Sequence, residues 1–285
     1  MTAPDRMPAL FIGHGSPMNT LEVNGFTRAW RALGDAIPKP RAILCISAHW
    51  FIDATAVTAM ARPRTIHDFY GFPKPLFDFQ YPANGSPDVA REVIEVVKPA
   101  WVGEDHDQWG LDHGTWSVLA HLYPKADVPV VQLSINALQP FDYHLELGAK
   151  LAPLQERGIL ILSSGNVVHN LRLVDWNRPE GGADWAHRFD DAAMHLMTSD
   201  PRSIVKLQEH PDFARAVPTP DHFIPLLYTA GIAAAEGRAQ SLIKGYSMGS
   251  LSMTSYNVGA QVDLPCEADG SAKLPSKVPA DQTNT

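Results

Sequence analysis

Short apolar runs alternate with helical periodicity from residue 8 onward. Residues 9–12 read as a first strand, and Phe26, Ala29, Trp30 and Leu33 then recur at helical spacing, one apolar stripe along a helix. Pro38 and Pro40 close that helix, and residues 42–48, rich in Ile and Leu, read as a second strand. Residues 56–60 are a weaker third. Residues 62–87 hold much Pro, Phe, Tyr and Gly with little periodicity, a long loop of the kind that shapes a binding site. Ser86 and Pro87 supply the cap and first position of a helix reaching Val97. Further on, the pattern predicts a short helix over 116–123, a strong strand over 128–135, a helix over 143–155 stopped by Gly158, and a buried strand over 159–163. Trp185, Phe189, Ala192 and Leu196 mark another amphipathic helix. Thr219 and Pro220 open a helix over 221–235, and Leu251, Met253 and Ser255 alternate with Ser and Thr as a half-buried strand would.

Strands apolar on both faces fit a parallel sheet covered by helices. The fold class is therefore α/β: a single domain over residues 7–262, with a mostly parallel sheet between helices. Ligands of such sheets bind at the carboxyl ends of the strands. After residue 263 the chain turns to Gly, Ala, Ser, Lys, Pro, Asp and Thr, read as a disordered tail over 263–285.

The 285 residues are ample for a large core, and no run reaches the ~18 apolar residues of a membrane span. The start, Met1-Thr-Ala-Pro-Asp-Arg6, lacks the basic-then-apolar pattern of a secretion signal. A net charge of -8 and a pI near 5.8 argue against nucleic acid as partner. Two cysteines exclude a disulfide framework: Cys45 lies in an apolar strand and Cys266 in the polar tail. These features point to the cytoplasm. Asn84-Gly-Ser86 matches a glycosylation sequon and reads as a turn.

Four of the 12 histidines share one kind of position. His14 and His49 each end an apolar run, His169 follows a third run after a glycine turn, and His222 stands where a helix begins. Such residues converge at one end of a parallel sheet, placing a metal site at the strand C-terminal ends. Imidazole suits Fe, Zn, Cu or Ni, and three protein ligands with an open position define a catalytic site. His113, between Asp112 and Gly114, reads as a turn residue whose exposed imidazole exchanges protons. His67, in the long loop, either contacts substrate or is solvated. The aromatic residues Phe69, Tyr70, Phe72, Phe77 and Phe79 either stack on a substrate ring or anchor the loop. His106, His121, His144, His187, His195 and His210 read as surface or packing residues. Gly245-Tyr-Ser-Met-Gly249 matches a hydrolase nucleophile elbow, but that motif needs a helix after the turn and a later histidine, and none follows Ser247. Gly13-His-Gly-Ser16 lacks the lysine and spacing of a phosphate loop.

The ordered strings Gly13-His-Gly-Ser-Pro17, Ser47-Ala-His-Trp50, Thr65-Ile-His-Asp-Phe69, Asp112-His-Gly114, Ser164-Gly-Asn-Val-Val-His-Asn170, Pro218-Thr-Pro-Asp-His222 and Met248-Gly-Ser-Leu-Ser-Met253 resemble the DODA-type extradiol ring-opening dioxygenases, of the protocatechuate 4,5-dioxygenase superfamily. The resemblance runs from about Met7 to Val262. It implies that His14, His49 and His222 hold the metal. His169 would be the acid/base or a fourth ligand, and His113 a histidine that contacts the catechol. His67 and Ser16 would lie on the substrate side. It further implies Fe(II) for turnover, with Zn(II) able to fill the same site, and a small catechol and O2 as substrates. Ring opening beside the diol would yield a muconic semialdehyde. The protocatechuate branch uses two histidines and a glutamate, and His222 stands here in the region of that carboxylate. The alternative is a zinc hydrolase whose three histidines activate water. A third reading, a metal sensor without turnover, leaves His169 and His113 without a role.

Overall fold

The computed structural model describes residues 6–259, 262, 268, 270, 272–275 and 277–280. Strand β1 (Ala9–Gly13) leads through helix α1 (Gly25–Ala36) to β2 (Ala42–Ile52). Then come β3 (Ala56–Thr58), a short α2 (Lys74–Asp78) inside the long loop, α3 (Pro87–Val96) and β4 (Gly103–Asp105). Next are α4 (His113–Leu122), β5 (Val130–Asn136), α5 (Phe141–Leu151) and β6 (Ile159–Gly165). Helices α6 (Asp184–Ser199), α7 (Phe213–Ala216) and α8 (Ile224–Glu236) precede four short strands: β7 (Gln240–Ile243), β8 (Tyr246–Ser247), β9 (Leu251–Ser252) and β10 (Ser255–Val258).

Eight strands form one sheet in the order β4-β3-β5-β2-β6-β1-β10-β7. The run β5-β2-β6-β1 is parallel throughout, so these strands end on one side of the sheet. β3 meets β5 antiparallel, and β10 and β7 close the other edge antiparallel. Side chains alternate between two buried clusters, as strand geometry requires. Ala9, Phe11, Leu44, Ile46 and Val131 pack with α3, α5, α6 and α8. Leu10, Ile12, Ile43, Cys45 and Val130 pack with α1 and α4. On α1 the predicted stripe is buried, and Asn24 and Thr27 close a capping box at its start.

Several boundaries differ from the sequence reading. β2 continues to Ile52, so His49 lies inside the strand rather than after it. β4 and β7 carry no long apolar run and escape a hydrophobic pattern. α8 begins at Ile224: residues 220–223 form a turn, with the Phe223 and Ile224 N–H groups bonded to the Pro220 carbonyl. His222 thus precedes its helix. The predicted strand around Leu251 is two strands, both fully buried rather than half-buried. Gly245–Gly249 forms part of the β8–β9 hairpin, with Met248 and Gly249 at φ 54° and 75° and no helix after it.

The tail expected to be disordered falls partly outside the described residues, Cys266 included. Where it is described it does not behave as a detached polar segment. Ala272, Leu274 and Ala280 are buried, because these apolar side chains find a surface to cover. Among the described residues no helix is long and apolar enough to cross a membrane.

Candidate metal centre

Three neighbouring strands, β2, β6 and β1, deliver histidines to their carboxyl ends. His14 follows β1, its backbone N–H bonded to the Gly165 carbonyl at 3.0 Å. His49 sits where the β2–β5 ladder shifts register between Ile46 and Phe51, and such a bulge re-aims a side chain. His169 follows β6, its N–H held by the Ala216 carbonyl at 2.9 Å. His222 arrives from the loop before α8, docked by the Asn166 N–H on its carbonyl at 2.9 Å. A Cβ on Gly165 would collide with that same carbonyl, so only glycine lets the loop lie on the strand end.

The rings of His14, His49 and His222 stand with centroids 5.0–5.3 Å apart. His113 joins them, 3.9 Å from His49 and 5.8 Å from His14. The donor atoms of His14, His49 and His113 all lie within 4.8 Å of one another. His113 is not the exposed turn residue its neighbours suggested. It is fully buried at the first position of α4, because Asp112 is the helix N-cap, accepting from the Thr115 N–H at 3.1 Å and the Ser47 hydroxyl at 2.7 Å. Burial pushes the Asp112 carboxyl up to about 6, with the neighbouring charge of Asp68 adding to it.

The hydrogen bonds settle which ring nitrogens carry protons. Ser164 donates its one hydroxyl hydrogen to the Gly114 carbonyl at 2.5 Å, so at 3.0 Å it must accept from His14 Nδ1–H. Asp68 Oδ2 faces Nδ1 of His49 at 3.1 Å and Nδ1 of His113 at 2.9 Å. Asp221 holds Nδ1 of His222. All four imidazoles thus carry a proton on Nδ1, which leaves Nε2 bare on His14, His49 and His113, the three that burial keeps neutral. Nε2 of His14 and of His49 lie 3.2 Å apart with no proton to share. Nε2 of His113 and of His222 are buried without a hydrogen-bond partner among the described residues. Lone pairs gathered in a buried site fit a cation of the Fe(II) or Zn(II) type, with the carboxylates behind the rings fixing the tautomer.

Electrostatics agree. Burial, reinforced by neighbouring imidazoles, holds His14, His49 and His169 well below the usual histidine value, and burial holds His113 at about 3. Burial raises the Asp68 carboxyl against the pull of His49, whereas for Asp221 the attraction of His222 overrides burial and holds it low. Neutral imidazole is the form a metal needs.

His169 stacks on His222 with centroids 3.5 Å apart and planes 1° from parallel, at the edge of the cluster. Together with Arg172, Thr219 and Asp221 these two rings line a cleft of about 290 Å³. His67 is not brought to the cluster: its Nε2 meets the Phe79 carbonyl at 2.9 Å and its ring packs on Phe69, Phe77 and Trp116. Phe69, Phe77 and Phe79 of the aromatic loop pack on one another and on α4, and Phe72 lines a pocket beside His169. Ser16 lines that pocket, its hydroxyl donating to the Lys273 carbonyl at 2.8 Å. Asp68, Asp221 and Ser164 had no role assigned from sequence. For the two acids the signal is an aspartate next to a histidine, in His67-Asp68 and Asp221-His222.

The family model described as the catalytic LigB subunit of aromatic ring-opening dioxygenase matches residues 9–259. A protein of Escherichia coli strain K12 named 4,5-DOPA dioxygenase extradiol is 46% identical over 258 residues, covering 89% of this chain and 95% of its own. A protein of the same name from Beta vulgaris is 36% identical over 257 residues, covering 86% and 94%. The crystal structure of an uncharacterized protein from Escherichia coli K12 superposes with a TM-score of 0.78 at 43% identity, covering 89% of this chain and all of that one. With its histidine cluster at the ends of a parallel sheet, the chain belongs to the LigB family of aromatic ring-opening dioxygenases and is an extradiol ring-cleaving enzyme.

Proposed function

We propose that the enzyme opens the ring of a catechol, DOPA-like or related, beside its diol, incorporating both atoms of O2 to give a muconic semialdehyde. The observation that carries this reading is the buried cluster of His14, His49 and His113, kept neutral by burial, with ligand atoms within 4.8 Å of one another and the His222 ring beside them. His14, His49 and His222 would hold Fe(II), which when bound supplies the electron transfer between catechol and dioxygen. Zn(II) would suit the same donors but cannot change oxidation state.

The chain's own groups handle protons and orientation. His169 is kept unprotonated at neutral pH by burial and by His222, so it is ready to take a catechol proton. Once protonated it stands against another imidazole and returns the proton readily to the opening product. His113, anchored through Nδ1 by Asp68, would accept through its bare Nε2 from a catechol hydroxyl. The fixed tautomers spare the site any rearrangement when substrate arrives.

The test is oxygen uptake by anaerobically Fe(II)-reconstituted enzyme over a series of substituted catechols, with product spectra. Stoichiometric uptake with a yellow product is expected. Iron-loaded enzyme that consumes no oxygen with any catechol, yet hydrolyses esters or amides, would overturn the proposal.

A further inference from the structure

The match to the family model stops at residue 259, and the Escherichia coli crystal structure, covered over its whole length, accounts for 89% of this chain. The chain therefore carries length beyond the shared domain. Some described residues of that stretch lie beside the site. Ser16, two residues from His14, donates to the Lys273 carbonyl. Gly71, at φ 83°, is packed so closely that a Cβ there would stand 2.8 Å from Val278 Cγ2. Leu274 is only 9% exposed, and Ala272 and Ala280 are buried as well. The contacts reach both the turn after β1 and the aromatic loop.

We propose that Leu274 is a specificity-determining residue: it forms the wall that the C-terminal segment adds to the pocket beside His169 and limits the apolar substituent a catechol can carry. This rests on the catechol reading above. Ser16, Phe72, His169, Leu171, Leu251 and Leu274 line that pocket, whose volume is about 10 Å³. Such a space holds roughly one water. An apolar ring substituent on this side would therefore press on the lining, Leu274 included. The other walls belong to the shared domain, whereas Leu274 arrives on a segment beyond it, whose Lys273 carbonyl accepts from the Ser16 hydroxyl and whose apolar side chains join the buried cluster. A second, larger cleft that His169 also lines includes Arg172 and Asp221, so it suits polar substituents. Discrimination between catechols by apolar bulk is thus assigned to a segment outside the shared domain.

The experiment compares wild type, Leu274→Ala and Leu274→Trp, all iron-loaded, with catechol, 4-methylcatechol and 4-tert-butylcatechol by oxygen uptake. Anaerobic binding of 4-nitrocatechol, followed by its visible absorbance, reports catechol binding without turnover, and thermal melts confirm the fold. Leu274→Ala should raise kcat/KM for tert-butylcatechol relative to catechol on the order of 10-fold, carried by KM. Leu274→Trp should lower the same ratio. Ratios equal in all three proteins, with uptake and nitrocatechol binding intact, would overturn the role of Leu274 while leaving the catechol reading standing. Absence of both uptake and a nitrocatechol shift in every protein would overturn the catechol reading itself.

Discussion

Replacing Asp68 by asparagine exchanges one oxygen for an NH2 group at a position where three N–H groups converge. In the native site Oδ1 accepts the His113 backbone N–H at 2.9 Å, while Oδ2 faces the Nδ1 atoms of His49 and His113 at 3.1 and 2.9 Å. If the amide oxygen stays on the backbone N–H, the NH2 group confronts two ring donors. If it flips, the NH2 group confronts the backbone donor. The cheapest relief moves a proton from Nδ1 to Nε2 of one imidazole, onto the lone pair that a metal would use. Partners behind metal-binding histidines are worth ~10–100-fold in metal affinity. That corresponds to ~1.4–2.8 kcal/mol. The assay is competition of metal-free wild type and D68N with a chromophoric chelator for Zn(II) at neutral pH, with melts of both metal-free proteins as control. A folded D68N that binds zinc as tightly as wild type would refute the tautomer assignment.

Other outcomes follow from the same geometry. His169→Ala should retain metal but lose ~10²–10⁴-fold in kcat; unchanged steady-state rates would remove its acid/base role. Gly165→Ala should drive a methyl group into the His222 carbonyl, costing ~1–3 kcal/mol in stability and weakening metal binding, so an unaltered Tm and zinc affinity would contradict it. Burial holds His113 at about 3 and His144, bonded to Tyr228, at about 4, both below the ordinary 6.5. Below pH 6.5 the unfolded chain therefore binds protons that the folded chain refuses, and stability falls as pH drops toward 4. The slope is ~1.4 kcal/mol per pH unit for each such imidazole. Melts of metal-free protein between pH 7.5 and 5 check this, and a flat profile would refute it.

Much of the scaffold was legible because its signals are local. The stripe Phe26-Trp30-Leu33, the Ser86-Pro87 cap and the Ile/Leu runs of β2 and β6 each announce an element within one window of sequence. So do His14, His49 and His169, since each ends or follows such a run. What escaped was set by tertiary pairing. β4 is a strand because β3 offers it a ladder, not because Gly-Glu-Asp favours one. His113 looked exposed because Asp-His-Gly resembles a turn; its burial follows from Asp68, 45 residues away. The tautomers depend on Ser164, Asp68 and Asp221, whose partners only the folded sheet supplies. Apolar residues were too sparse after residue 263 to show that Leu274 and Ala280 have a surface to cover.

The anchoring of His14, His49 and His113 by groups from elsewhere in the chain has a consequence for biogenesis. The nearest pair in sequence that would share the metal, His14 and His49, is separated by 35 positions, and neither has its Nδ1 partner until β6 and the loop carrying Asp68 are in place. Unlike a zinc finger, whose closely spaced ligands let the ion organise the peptide, this polypeptide offers no local chelate before it folds. Metal loading is therefore a late event, made by a chain whose sheet is already closed. The cell can choose the ion after synthesis is complete, by which metal is supplied to a finished apoprotein.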